Sequence, residues 1–87
     1  MADVVMYTST YCGYCRAAKA LLSSKGVAYE EINLDEQPGR RAEMVQRAEG
    51  RTTVPQIFIG GKGVGGFDDI SELDYEDKLD GMLGIAD

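Results

Sequence analysis

Cys12 and Cys15 are the only cysteines among 87 residues, and they stand three positions apart in Tyr11-Cys12-Gly13-Tyr14-Cys15-Arg16. Such a pair can close a tight disulfide, supply half of a metal site, or act as a nucleophile and a resolving thiol. The surrounding pattern favours the third use. Val4-Val5-Met6-Tyr7 is a short β-prone run broken by the hydroxyl residues Thr8-Ser9-Thr10, and a stretch rich in helix formers, Ala17 to Leu22, follows the cysteines. Cys15, Ala18, Leu21 and Leu22 keep the three-and-four spacing of one buried face, which stops at Lys25-Gly26. Cys12 then falls at the helix cap, where unpaired N–H groups and the positive end of the dipole favour a thiolate, and Cys15 lies on the buried stripe. Thiol–disulfide exchange needs this inequality: one thiolate attacks a disulfide, and a protected thiol displaces the product. A purely structural bridge across so short a loop would constrain little chain entropy. Structural zinc takes four ligands, and without histidine or a third cysteine the chain offers two thiolates.

The elements that must position this pair follow from the same periodicities. Val27 to Asn33 reads as a second strand, Asp35 to Pro38 as a turn with Pro38 suited to a first helical turn, and Arg40 to Glu49 as a second helix. That helix buries Met44, Val45 and Ala48, exposes Arg40, Arg41, Glu43 and Arg47, and stops at Gly50. Strand, helix, strand implies a parallel pair joined by a right-handed crossover. Thr53 to Ile59 reads as a third strand, Gly60-Gly61-Lys62-Gly63 as a hairpin turn into Val64, and Asp68-Asp69 as the cap of a helix carrying Ile70, Leu73 and Tyr75. A last amphipathic segment spans Lys78 to Leu83. The order predicts an α/β thioredoxin-like fold, with a four-stranded mixed sheet flanked by helices.

Length allows one domain over 1–87, and 44% hydrophobic with 28% charged residues is an ordinary globular composition. A net charge of −6 without a basic cluster argues against nucleic acid as a partner. No apolar run reaches spanning length, and Met1-Ala2-Asp3 does not begin a signal segment, so the expectation is a cytoplasmic protein with no membrane partner.

Two further stretches bear on the cysteines. Pro55 has a plain reading as a trans residue opening a strand, since only about 5–6% of X–Pro bonds are cis. In a thioredoxin-like fold its loop would face the cysteines, and a cis bond there would turn the N–H and C=O of Val54 toward an extended, peptide-like substrate. Gly65-Gly66-Phe67-Asp68-Asp69 would alone be a turn and a cap.

Taken together, Cys12-Gly13-Tyr14-Cys15, Thr53-Val54-Pro55-Gln56-Ile57-Phe58-Ile59 and Gly65-Gly66-Phe67-Asp68-Asp69 resemble the glutaredoxins over essentially the whole chain, in the family's order and spacing. The resemblance implies reduction of protein disulfides and glutathione mixed disulfides, with Cys12 as nucleophile, Cys15 as resolving thiol, glutathione as co-substrate and no permanently bound cofactor. It implies a glutathione site built from Tyr14, Arg41, Thr53, Val54, Pro55, Gly66, Asp68 and Asp69. The tripeptide's cysteine would pair with the backbone of Val54 beside cis-Pro55, and its γ-glutamyl end would meet the backbone of Asp68 and the side chain of Asp69. Many members carry proline after the first cysteine and lysine three positions before it, where this chain has Gly13 and Ser9. The glycyl carboxylate then falls to Arg41 or Arg40, with help from Arg16. The expected enzyme is a monomer acting on disulfide-containing or glutathionylated proteins. Members with a small residue at the Gly13 position suggest a second reading, a homodimeric carrier whose 2Fe–2S cluster is held by Cys12 of each chain and two glutathione thiols. A reductase fed by a flavoenzyme is a third reading, which the aspartate-ending stretch disfavours.

Overall fold

The computed structural model describes residues 2–85. Its elements run β1 (Val4–Thr8), α1 (Gly13–Ser24), β2 (Glu30–Asn33), a 3₁₀ turn (Pro38–Arg40), α2 (Arg41–Arg47), β3 (Gln56–Ile59), β4 (Lys62–Gly65), α3 (Phe67–Tyr75) and α4 (Leu79–Leu83). The sheet order is β2-β1-β3-β4. β1 and β2 are parallel, with Tyr7 opposite Ile32, whereas β3 runs antiparallel to both β1 and β4.

Alternation along the two central strands divides the core. Val4 and Met6 of β1, with Ile57 and Ile59 of β3, face a layer formed by Ala18 and Leu22 of α1, Ile70 of α3 and Leu79 and Leu83 of α4. Tyr7 and Phe58 point the other way, onto Ile32, Leu34 and Met44. A period of two on a sheet covered on both sides yields these two clusters, and each fully buried large side chain contributes roughly 1.5–3 kcal/mol.

Several boundaries differ from those the sequence suggests. β2 begins at Glu30 rather than Val27 and β3 at Gln56 rather than Thr53, because pairing with β1 covers only the C-terminal part of each stretch. The hairpin turn is Gly60-Gly61 alone, and Lys62 and Gly63 already belong to β4. Asp68 and Asp69 do not cap α3 from outside but lie in its first turn, and the N-cap is Gly66. Glu43 and Arg47 are not simply solvated: the buried Tyr7 hydroxyl donates to Glu43 and accepts from Arg47 Nη1 at 2.9 Å. The Arg47 guanidinium also lies 4.3 Å from the Phe58 ring centre, which ties α2 to the sheet.

The loop between β1 and α1 is fastened at its base. The Thr10 N–H donates to Asp35 Oδ2 at 2.7 Å, and Asn33 Nδ2 donates to Thr10 Oγ1 at 3.3 Å. These bonds hold the chain entering α1 against the segment after β2, and with it the position of Cys12.

Candidate active site

Cys12 is the N-cap of α1, with extended backbone at φ −138°. Its Sγ accepts the Cys15 N–H at 3.1 Å and lies 3.8 Å from the Val54 carbonyl oxygen. An otherwise unpaired N–H of the first helical turn is thus aimed at the sulfur, an arrangement that stabilises negative charge there. Cys12 is half-buried, whereas Cys15 is 1% exposed, and both thiols are free. Burial, and next the neighbouring Cys12, push the Cys15 thiol up to about 12. One sulfur is therefore reachable and accepts a backbone N–H, and the other is buried and held as a neutral thiol.

The sign of the Cys15 shift sets a pH dependence. Its folded value lies above the ordinary value of about 8.5, so the folded dithiol binds more protons than the unfolded chain in the interval between them. The stabilising contribution is complete below about pH 8.5 and is lost as pH rises toward 12. The reduced protein should therefore lose stability between pH 9 and 11, and Cys15→Ala should flatten that decline. Urea midpoints across the range test this, and an equal alkaline loss in both proteins would show that Cys15 is not the group responsible.

A cleft of about 310 Å³ is lined in part by Val54, whose carbonyl oxygen lies 3.8 Å from Cys12 Sγ. One wall is Tyr14, whose ring stacks on Phe67 with centroids 6.4 Å apart. The loop Thr53-Val54-Pro55 forms another side, with the Val54-Pro55 peptide bond cis. Gln56, almost fully buried, donates to Thr53 Oγ1 at 3.2 Å and braces that loop. The far end is Gly66, Asp68 and Asp69 at the start of α3. Asp69 Oδ2 accepts the Gly66 N–H at 2.9 Å, so the third residue of the helix reaches back to its cap.

Seven of the eight residues expected to hold a ligand therefore surround one cleft, next to the half-buried thiol. Arg41 is not among the cleft-lining residues, because it opens α2 and its Nη1 donates to the Thr52 carbonyl at 3.1 Å. Arg40 is engaged by Glu43 at 2.9 Å, and Arg16 is exposed outside the lining. The cation that does line the cleft is Arg51, a residue the sequence reading passes over. The signal for it is adjacency, since it stands directly before the Thr52-Thr53-Val54-Pro55 loop, whereas Arg41 enters only as a stand-in for the lysine that the resemblance expects at Ser9.

Gly65 shows how closely this end is assembled. Its φ is +103°, and a Cβ there would lie 2.1 Å from Asp69 Oδ2 and 2.6 Å from Arg51 Nη1. Gly65→Ala should cost about 1–3 kcal/mol and displace the Asp69 carboxylate. A lowered urea midpoint with an unchanged slope checks this, and an unaltered midpoint would mean that the site closes less tightly over Gly65.

Residues 4–64 match the family model described as Glutaredoxin. The chain is 52% identical to "Glutaredoxin 3" of Escherichia coli K12 over 83 residues, covering 95% of this chain and 99% of that one. A solution structure of glutaredoxin from Brucella melitensis superposes with a TM-score of 0.83 at 50% identity, covering 98% of this chain and 91% of the other. A buckwheat glutaredoxin–glutathione complex superposes with a TM-score of 0.86 at 38% identity, covering 95% and 77%. The architecture of these neighbours is the thioredoxin-like one expected from the element order.

Proposed function

The chain belongs to the glutaredoxin family and is a thiol–disulfide oxidoreductase of that kind, and we propose that it takes its electrons from glutathione to reduce glutathione mixed disulfides and protein disulfides. The observation that carries this reading is the position of Cys12 Sγ: bonded by the Cys15 N–H and 3.8 Å from the carbonyl of Val54, a residue that lines a cleft of about 310 Å³.

In the proposed cycle the Cys12 thiolate attacks the glutathione sulfur of a mixed disulfide. A Cys12–glutathione bond forms, and the protein thiolate leaves and takes a proton. The thiolate of a second glutathione then attacks the adduct, producing oxidised glutathione and regenerating Cys12. With a protein disulfide, Cys12 first bonds one substrate sulfur; Cys15 then loses its proton and displaces that sulfur, leaving a Cys12–Cys15 disulfide that two glutathione molecules reduce. The extended tripeptide lies along the loop at Val54-Pro55, its cysteine paired with the Val54 backbone. The wall of Tyr14, the Thr53 side and Gly66 confine it, and its γ-glutamyl end meets the Asp68 backbone and the Asp69 carboxylate. The glycyl carboxylate faces the Thr52-Thr53 side, within the field of Arg41.

A glutathione-coupled assay with glutathionylated protein as substrate tests this, and rapid, glutathione-dependent release of the protein thiol is the expected result. Failure with glutathione but turnover with a flavoenzyme-fed reductant would overturn the choice of electron donor. The carrier reading would draw on Cys12 alone from each chain, since among the described residues no three His, Cys, Asp or Glu side chains gather into a metal site. A brown protein with visible absorption after anaerobic purification would favour that reading over the enzyme.

A further inference from the structure

Arg51 lies in the cleft with a contact that a bound ligand would have to change. Its Nη2 stands 3.5 Å from Asp69 Oδ2, and the side chains of the pair are 54% and 44% exposed. At that length and exposure the pair contributes little to stability and separates at little cost. Both groups close over the bare Cα of Gly65, where a Cβ would meet Asp69 Oδ2 and Arg51 Nη1 together. The end of the cleft thus presents a cation and an anion side by side, loosely paired and open to solvent.

An α-amino acid group carries the complementary pair, an ammonium and a carboxylate on one carbon. We propose that Arg51 is a specificity residue for the γ-glutamyl end of glutathione. The ligand's α-ammonium takes the place of Arg51 on Asp69, and the freed guanidinium binds the α-carboxylate. One weak internal ion pair is exchanged for two charge-assisted contacts with the ligand, so groups bearing only one of the two charges gain much less. No covalent step is involved. Asp69 stays fixed throughout by the Gly66 N–H, so the moving partner is the long, exposed arginine.

This inference rests on the glutathione reading above, and the test separates the two. Three mixed disulfides with 2-mercaptoethanol are compared: glutathione, 4-aminobutyryl-cysteinylglycine, which lacks the α-carboxylate, and glutaryl-cysteinylglycine, which lacks the α-ammonium. The measured quantity is the second-order rate of tripeptide transfer to Cys12 in the Cys15→Ser protein. Removal of either charge should slow transfer roughly tenfold while Arg51 is present. In the Arg51→Gln protein glutathione itself should slow roughly tenfold, and the gap between glutathione and the decarboxylated analogue should shrink to about twofold or less. The gap to the deaminated analogue should persist, because Asp69 still requires the ammonium. An undiminished decarboxylation gap in Arg51→Gln overturns the role of Arg51, whatever happens to the melting temperature. Equal rates for all three disulfides with Arg51 present would instead overturn the glutathione reading itself.

Discussion

Cys12→Ser should remove glutathione-coupled turnover altogether, a loss of about three orders of magnitude or more, while the protein stays folded. The sulfur is the atom that bonds to substrate, and a serine hydroxyl at the same cap would accept the Cys15 N–H without being ionised near neutral pH. Cys15→Ser should behave differently. It removes the thiol that closes the internal disulfide, so reduction of protein disulfides through that intermediate should fail, yet turnover of glutathione mixed disulfides should continue because glutathione itself releases the Cys12 adduct. The asymmetry comes from position: Cys12 accepts the Cys15 N–H at the helix start, and Cys15 is 1% exposed beneath it. Assaying both variants with both substrate types checks this, and equal losses in mixed-disulfide turnover would show that the two sulfurs share the attack.

Asp69→Ala should raise the KM for glutathione roughly tenfold while lowering stability by only about 1 kcal/mol. Two roles meet on this carboxylate, since it accepts the Gly66 N–H at the start of α3 and lines the far end of the cleft. Asp69→Asn separates them: the amide oxygen can still accept the backbone N–H, but the charge that attracts an ammonium is gone. The asparagine variant should therefore keep most of the melting temperature and show most of the rise in KM. A falling melting temperature with unchanged KM in both variants would reduce Asp69 to a cap.

Much of this could be read from the chain because local signals and tertiary placement coincide. The spacing of Cys15, Ala18 and Leu22 is a helical stripe, and all three are buried on α1. The β-prone run Val4-Val5-Met6-Tyr7 is the strand β1, and the structure divides its side chains between the two core clusters. The Thr53-Val54-Pro55 and Gly66-Asp68-Asp69 groups stand apart in sequence, and they could be joined only through their resemblance to a known family. Other features depend on neighbours that no periodicity shows. Glu43 and Arg47 looked like solvated helix residues because their partner, Tyr7, comes from β1, 36 and 40 residues away. Arg51 sits between a helix and a loop, where no repeat marks which side it faces. Asp68 and Asp69 are caps by composition, yet the helix begins one residue before them because Gly66 supplies the N-cap and Asp69 bonds back to it.

The most direct test of the account is to ask which half of a mixed disulfide the protein keeps. Reduced Cys15→Ser protein, with Cys12 as its only thiol, is mixed with the disulfide of glutathione and 2-mercaptoethanol and quenched within a single turnover, and the adduct on Cys12 is weighed by mass spectrometry. A cleft that holds glutathione with its sulfur toward Cys12 predicts the glutathionyl adduct in large excess over the hydroxyethyl one. A statistical mixture, or an excess of the hydroxyethyl adduct, would contradict it.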